Sequence, residues 1–125
     1  LIMKSKKLQN WKKGEVIYDI GDNPQSAFLL NSGQVILESS EGIKVGTIKE
    51  NEIFGEKSCI LGINRSVKAI SYIDSSAIVI SREVLLEEMS KTPVIIKAIL
   101  RSTYLRLESS NLINDKIKDL QNHLE

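Results

Sequence analysis

Six glycines between Gly14 and Gly55 divide the front of this chain into apolar pieces too short to be helices. Val16, Tyr18 and Ile20 alternate with other side chains until Gly21-Asp22-Asn23-Pro24 interrupts them. Phe28 to Leu30 is a second run, Asn31-Ser32-Gly33 a tight-turn signal, and Val35-Ile36-Leu37 a third run. Ser40-Glu41-Gly42 turns again before Ile43, Val45 and Ile48. Val67, Ala69 and Ser71 alternate, Asp74-Ser75 turns, and Ala77 to Ile80 has the length and composition of a buried strand. Period-two alternation with turn residues about ten apart marks short strands of a small sandwich or barrel. Residues 14 to 81 are therefore expected to be strands.

The period changes at Arg82. Val84, Leu85, Leu86 and Met89 follow a helical spacing. Lys91-Thr92-Pro93 resets the chain, with Thr92 placed as an N-cap and Pro93 at the first helical position. No Gly or Pro follows from Val94 to Leu124. A helix over that whole stretch would be about 45 Å long, too long to lie wholly on so small a domain. Ile113, Ile117, Leu120 and Leu124 are spaced as a heptad seam. A monomer would leave that seam in water, so a homodimer is expected. The expected division is a β domain with a short helix over 1–91 and a dimerisation or lid helix over 92–125.

Composition narrows the function. A chain of 125 residues, 42% hydrophobic and 26% charged, has room for one real core. Its net charge of +1 gives no strong field toward nucleic acid or membrane. Lys4-Ser5-Lys6-Lys7 and Lys12-Lys13 lack interleaved aromatics and read as solvated charge. No apolar run approaches the roughly 20 residues that cross a bilayer, and Leu1-Ile2-Met3 before Lys4 is not the order of a secretory leader. With one cysteine, Cys59, the expected location is a reducing cytoplasm. Cys59 and His123 cannot build an ordinary N/S metal site or a base–nucleophile pair, so neither a metal cofactor nor an enzyme is expected. The start at Leu1 and the end inside a helical pattern read as a piece of a longer chain.

Phe54-Gly55-Glu56, followed nine residues after Glu56 by Arg65-Ser66, places one carboxylate and one guanidinium on a short connection between apolar strands. Arg65 can offer a two-pronged fork to phosphate oxygens. Glu56 can accept a hydrogen bond from a ribose hydroxyl. Gly55 lets backbone approach closely, and the polar turn after it can aim N–H groups at an anion. Together they suit a small nucleotide with one negative charge, held by a sensor. The plain alternative is an Arg65–Glu56 salt bridge on the rim of a β fold.

With Gly14-Glu15, Gly21-Asp22, Ser32-Gly33, Ile80-Ser81 and Pro93 in this order, the chain resembles the cyclic-nucleotide-binding domain of the catabolite activator protein family. It also resembles the regulatory subunits of cyclic-nucleotide-dependent kinases, but the bacterial activators more closely. The resemblance runs from Trp11 to about Leu112. It implies a mainly β fold, an antiparallel jelly-roll-like β-roll with flanking helices and a long C-terminal helix. It implies that Glu56 meets the ribose 2′-hydroxyl, and Arg65 and Ser66 the cyclic phosphate. The long helix would make the dimer and send Ser110 and Asn111 to the purine, although these two also suit a plain polar helix face.

Departures from the family pattern are Lys57 for an apolar residue, Ser58 for Ala or Gly, Asn64 for Pro, and Asn51 for a Gly. Lys57 and Ser58 join the ligand-binding candidates, Lys57 either adding charge near the phosphate or pointing to solvent. The implied function is a regulatory domain that binds cyclic AMP, with cyclic GMP as the other ligand, and relays binding through the C-terminal helix. The activators carry a helix-turn-helix module after that helix; none is expected within these 125 residues. The competing function is a dimerisation or protein-interaction module that keeps the fold and binds no nucleotide. Cys59 reads as a buried filler, and Trp11 as a core or lid residue.

Overall fold

The computed structural model describes residues 7–124, with side chains described for 7–110 and 120. The chain forms two compact units, Leu1–Lys91 and Thr92–Glu125. The first contains β1 (Leu8–Trp11), β2 (Val16–Tyr18), β3 (Ser26–Ser32), β4 (Val35–Glu38), β5 (Lys44–Ile48), β6 (Ile53–Phe54), α1 (Glu56–Leu61), β7 (Lys68–Ser71), β8 (Ser75–Ser81) and α2 (Arg82–Ser90). The second is α3 (Val94–Leu124).

Two antiparallel four-stranded sheets, β1-β8-β3-β6 and β2-β7-β4-β5, form a β-roll. Their inner faces meet over Trp11, Phe28, Leu30, Phe54 and Ala77 from one sheet and Tyr18, Val35 and Ala69 from the other. Aromatic rings dominate this core. Phe28 and Phe54 stack at 5.1 Å, and Trp11 meets Phe28 edge-on at 5.7 Å. The outer face of β3 and β8 is covered as well. There Ala27 and Ile80 pack with Cys59 of α1, and Leu85 of α2 closes the cluster. Covering on both faces explains why Ala27–Leu30 and Ala77–Ile80 are continuous apolar runs rather than alternating ones.

The turn signals sit where the strands end, and α2 starts at Arg82 with Ser81 as N-cap, its hydroxyl accepting from the Val84 N–H at 3.2 Å. Asn51 carries a positive φ of 68°, the tolerance its short polar side chain provides. Three features depart from the expected course. β1 lies before the expected strand region; Leu8-Gln9-Asn10 is exposed, and this edge strand buries only Trp11, so it has no alternating pattern. Trp11 is thus a core residue. The connection after Phe54 contains the six-residue helix α1 rather than strand or loop alone. Helix α3 begins at Val94, with the Pro93 carbonyl accepting from the N–H groups of Ile96 and Lys97 at 3.0 and 3.1 Å; Pro93 precedes the helix instead of opening it.

Helix α3 has 31 residues. Of its seam, Leu120 is exposed, while the side chains of Ile113, Ile117 and Leu124 lie outside the described residues. No described helix is long and apolar enough to cross a membrane.

Gly33 is fixed by space as well as by φ. It has φ +98°, and a Cβ there would stand 2.1 Å from Ser75 Oγ and 2.7 Å from the Asp74 carbonyl. Gly14 has φ +88° and open space. Both alanine variants suffer backbone strain, but Gly33→Ala adds overpacking worth about 1–3 kcal/mol. Urea denaturation should show Gly33→Ala less stable than Gly14→Ala by that margin; equal losses would contradict the packing argument.

Candidate functional site

Gly55 ends β6 and begins α1 in the left-handed region, with φ 78° and ψ 2°. A Cβ there would stand 3.1 Å from Arg65 Nη1 and 3.3 Å from the Tyr18 ring. The residue is therefore required both for the turn and for the approach of Arg65. Having no side chain, it gives α1 no cap of its own. Glu56, the first residue of α1, is half-buried at this junction.

Arg65 is only 5% exposed. Its Nη1 donates to the Gly55 carbonyl and its Nη2 to the Ser26 carbonyl, both at 2.5 Å. Its guanidinium carbon lies 4.1 Å from the centre of the Tyr18 ring. Its backbone is clamped to the β2–β3 turn: Arg65 N–H donates to the Asp22 carbonyl and Gly21 N–H to the Arg65 carbonyl, each at 2.8 Å. Among the described residues no carboxylate forms an ion pair with Arg65. Its Nε is buried without a hydrogen-bond partner among them. A rim salt bridge with Glu56 is therefore not the arrangement found.

Burial pushes the Glu56 carboxyl above its ordinary value, opposed by its own backbone N–H, Lys57 and Arg65. Burial likewise pushes the Tyr18 hydroxyl up to about 12 against the pull of Arg65, so Tyr18 is neutral at physiological pH. The Cys59 thiol is raised mainly by burial and is a poor nucleophile. Lys57 Nζ donates to Ser66 Oγ at 3.1 Å, so Lys57 reaches across the cassette, the segment from Phe54 to Ser66, instead of pointing to bulk solvent. Ser58 is buried within α1. Beside Arg65 lies a cavity of about 440 Å³, lined by Tyr18, Asp22, Asn23, Gln25 and Ser26 among others.

Residues 8–92 match the family model of the cyclic nucleotide-binding domain. The chain belongs to that family. It is similar to the cyclic-AMP-bound form of the EAL enzyme Bd1971, with a TM-score of 0.78 and 26% identity over 94% of this chain and 33% of that one. It is similar in fold to the catabolite activator protein of Thermus thermophilus, with a TM-score of 0.68 and 24% identity over 90% of this chain and 55% of that one. The regulatory domain of Toxoplasma gondii PKA with cyclic AMP has a TM-score of 0.68 and 16% identity, over 80% of this chain and 39% of that one. The chain thus spans about a third of the length of Bd1971. No curated protein matches it.

In this cyclic nucleotide-binding domain the β-roll brings Gly55, Glu56 and Arg65 to one junction and pairs Lys57 with Ser66. Ser110 is an exposed residue of α3, and the Asn111 side chain lies outside the described residues. Sequence reasoning missed the supports of Arg65: the Tyr18 ring, the Ser26 carbonyl and the Asp22 carbonyl. Tyr18 showed only as one member of an alternating strand. The other two contacts use backbone atoms, which no side-chain pattern announces.

The raised Glu56 carboxyl makes a pH prediction. Below its unfolded value it is protonated in both states and its contribution is fully present; as pH rises through the folded value it must ionise while half-buried, and stability is lost. Glu56→Gln should therefore gain stability relative to the parent as pH goes from about 4 to 7. Urea denaturation at both pH values checks this; a difference that stays constant or grows toward acid contradicts it.

Proposed function

We propose that this chain is a regulatory domain that binds cyclic AMP in the cassette and relays binding to α3. The observation that carries the reading is the buried Arg65 guanidinium, which among the described residues has no carboxylate partner and one unused buried donor, beside a half-buried Glu56. An anion held by Arg65 would supply the missing charge. Ser66, with Lys57 beside it, would add contacts to the phosphate, Gly55 would give the ribose access, and Glu56 would accept from the 2′-hydroxyl. Ser58 would contribute from the first turn of α1, and Ser110 and Asn111 would meet the purine. Cyclic GMP is the other candidate. Bd1971 has forms bound to each nucleotide, and cyclic AMP is preferred here on the resemblance to the bacterial activators.

A second reading has one observation in its favour. Both terminal nitrogens of Arg65 already serve backbone carbonyls, so the residue has a structural role without any ligand. A module that keeps the fold for dimerisation alone would need nothing more.

Cyclic AMP separates the two. At a hundred times its dissociation constant it should stabilise the chain by about 2.7 kcal/mol. Arg65→Lys, which keeps the charge and loses the fork, should bind at least about tenfold more weakly, as should 2′-deoxy cyclic AMP on the parent. The structural role of Arg65 makes Lys a better probe than Ala, and two-state unfolding of the variant must be verified first. No response of the parent favours the dimerisation module; equal affinity for the deoxy ligand removes Glu56 from the site.

The proposed homodimer rests on the seam of α3, of which Leu120 is 65% exposed. Ile117→Glu would place a charge on that seam and should convert dimers to monomers in sedimentation at micromolar concentration. A parent that is already monomeric there would refute the dimer.

A further inference from the structure

We infer that Tyr18 is the positioning residue for Arg65: its ring sets the plane of the guanidinium, and the Gly55 and Ser26 carbonyls set its rotation within that plane. The inference rests on the cyclic-nucleotide reading of the site and names what prepares its charge. A guanidinium uses its face for stacking and its edge for hydrogen bonds, so one group can do both at once. The guanidinium carbon lies over the Tyr18 ring, 4.1 Å from its centre, and the ring is itself buried. Of the five N–H donors of an arginine, one on Nη1 and one on Nη2 are committed to backbone. The remaining three include Nε, which is buried and has no partner among the described residues. Nε and the adjacent terminal nitrogen form a fork for two oxygens of one anionic group. An anion that reaches Nε would meet a donor that neither carbonyl occupies.

The ring is well supported for this task. Tyr18 stacks on Phe28 at 6.2 Å and 23°, and on Phe54 at 6.4 Å and 29°. The clamps from Gly21 and Asp22 to the Arg65 backbone keep the cation beside the turn that leaves Tyr18. An aliphatic residue could fill the same volume but would lack the negative ring face that attracts a cation.

The test is titration of the full chain with cyclic AMP, using the parent, Tyr18→Phe and Tyr18→Leu, with Tyr18→Met in place of Leu should Leu not fold. It is paired with NMR of the Arg65 Nε–H signal without ligand. Leu or Met should weaken binding at least about tenfold, while Phe keeps it within about threefold. In an Arg65→Gln background, Leu or Met should cost less than about twofold, because the cycle isolates the coupling. The Arg65 Nε–H signal should show the upfield shift of a ring face in the parent and Phe variant and lose it in Leu or Met. Binding by Leu or Met within about threefold of the parent, Phe as weak as Leu, or the same loss in both backgrounds would each overturn the positioning role. If the parent itself binds no cyclic AMP, the nucleotide reading fails; the NMR comparison then decides alone, and an Nε–H signal unchanged by Leu or Met overturns the role of Tyr18.

Discussion

A guanidinium buried in a β-roll, with no carboxylate of the described residues to neutralise it, is the constraint around which this domain is arranged. A charge removed from water is costly unless it is hydrogen-bonded and paired. Arg65 meets the first condition with the Gly55 and Ser26 carbonyls and gains a quadrupole contact from Tyr18. It leaves the second condition open. The groups that hold it come from the β6–α1 junction, the start of β3 and the end of β2. These segments are distant in sequence, and each is tied by a backbone atom or by packing to the same point. Any ligand that completes the charge balance of Arg65 is therefore in contact, through one side chain, with most of the roll.

The core and the site are parts of one stack. Trp11 meets Phe28, Phe28 meets Phe54, both meet Tyr18, and Tyr18 meets Arg65. Packed interiors transmit displacement poorly in amplitude but efficiently in energy, since each ring has few alternative positions. A substitution at Phe28 would act on the fold through lost burial and on the site through the seat of Tyr18. The two effects have different ligand dependence, so they can be separated.

Much of the architecture was legible because the sequence repeats its own instructions. Turn residues at Asn31-Ser32-Gly33 and Asp74-Ser75 agree with the alternation on either side, and Ser81 before an apolar helical period fixes the start of α2. Gly33 shows why the signal is strong, since its position is demanded by Ser75 as well as by φ. What escaped has the opposite character. β1 presents only Trp11 to the core, and a single buried residue makes no period. Helix α1 is too short to show one and has a glycine, not a capping side chain, before it. Pro93 stands one residue earlier relative to its helix than the capping pattern suggested, within the scatter of helix ends.

The site divides in the same way. Glu56 and Arg65 could be read from residue type and spacing, because their chemistry resides in their side chains. The state of Arg65 could not, because that state depends on carbonyls at positions 26 and 55 and on a ring 47 residues earlier in the chain. A cassette motif names the groups that can meet an anion. Whether those groups are held ready is decided by contacts of high sequence separation, made by backbone that any residue would supply. In this domain Tyr18 makes such a contact with its side chain, and so is a position where a substitution can change readiness while leaving the motif intact.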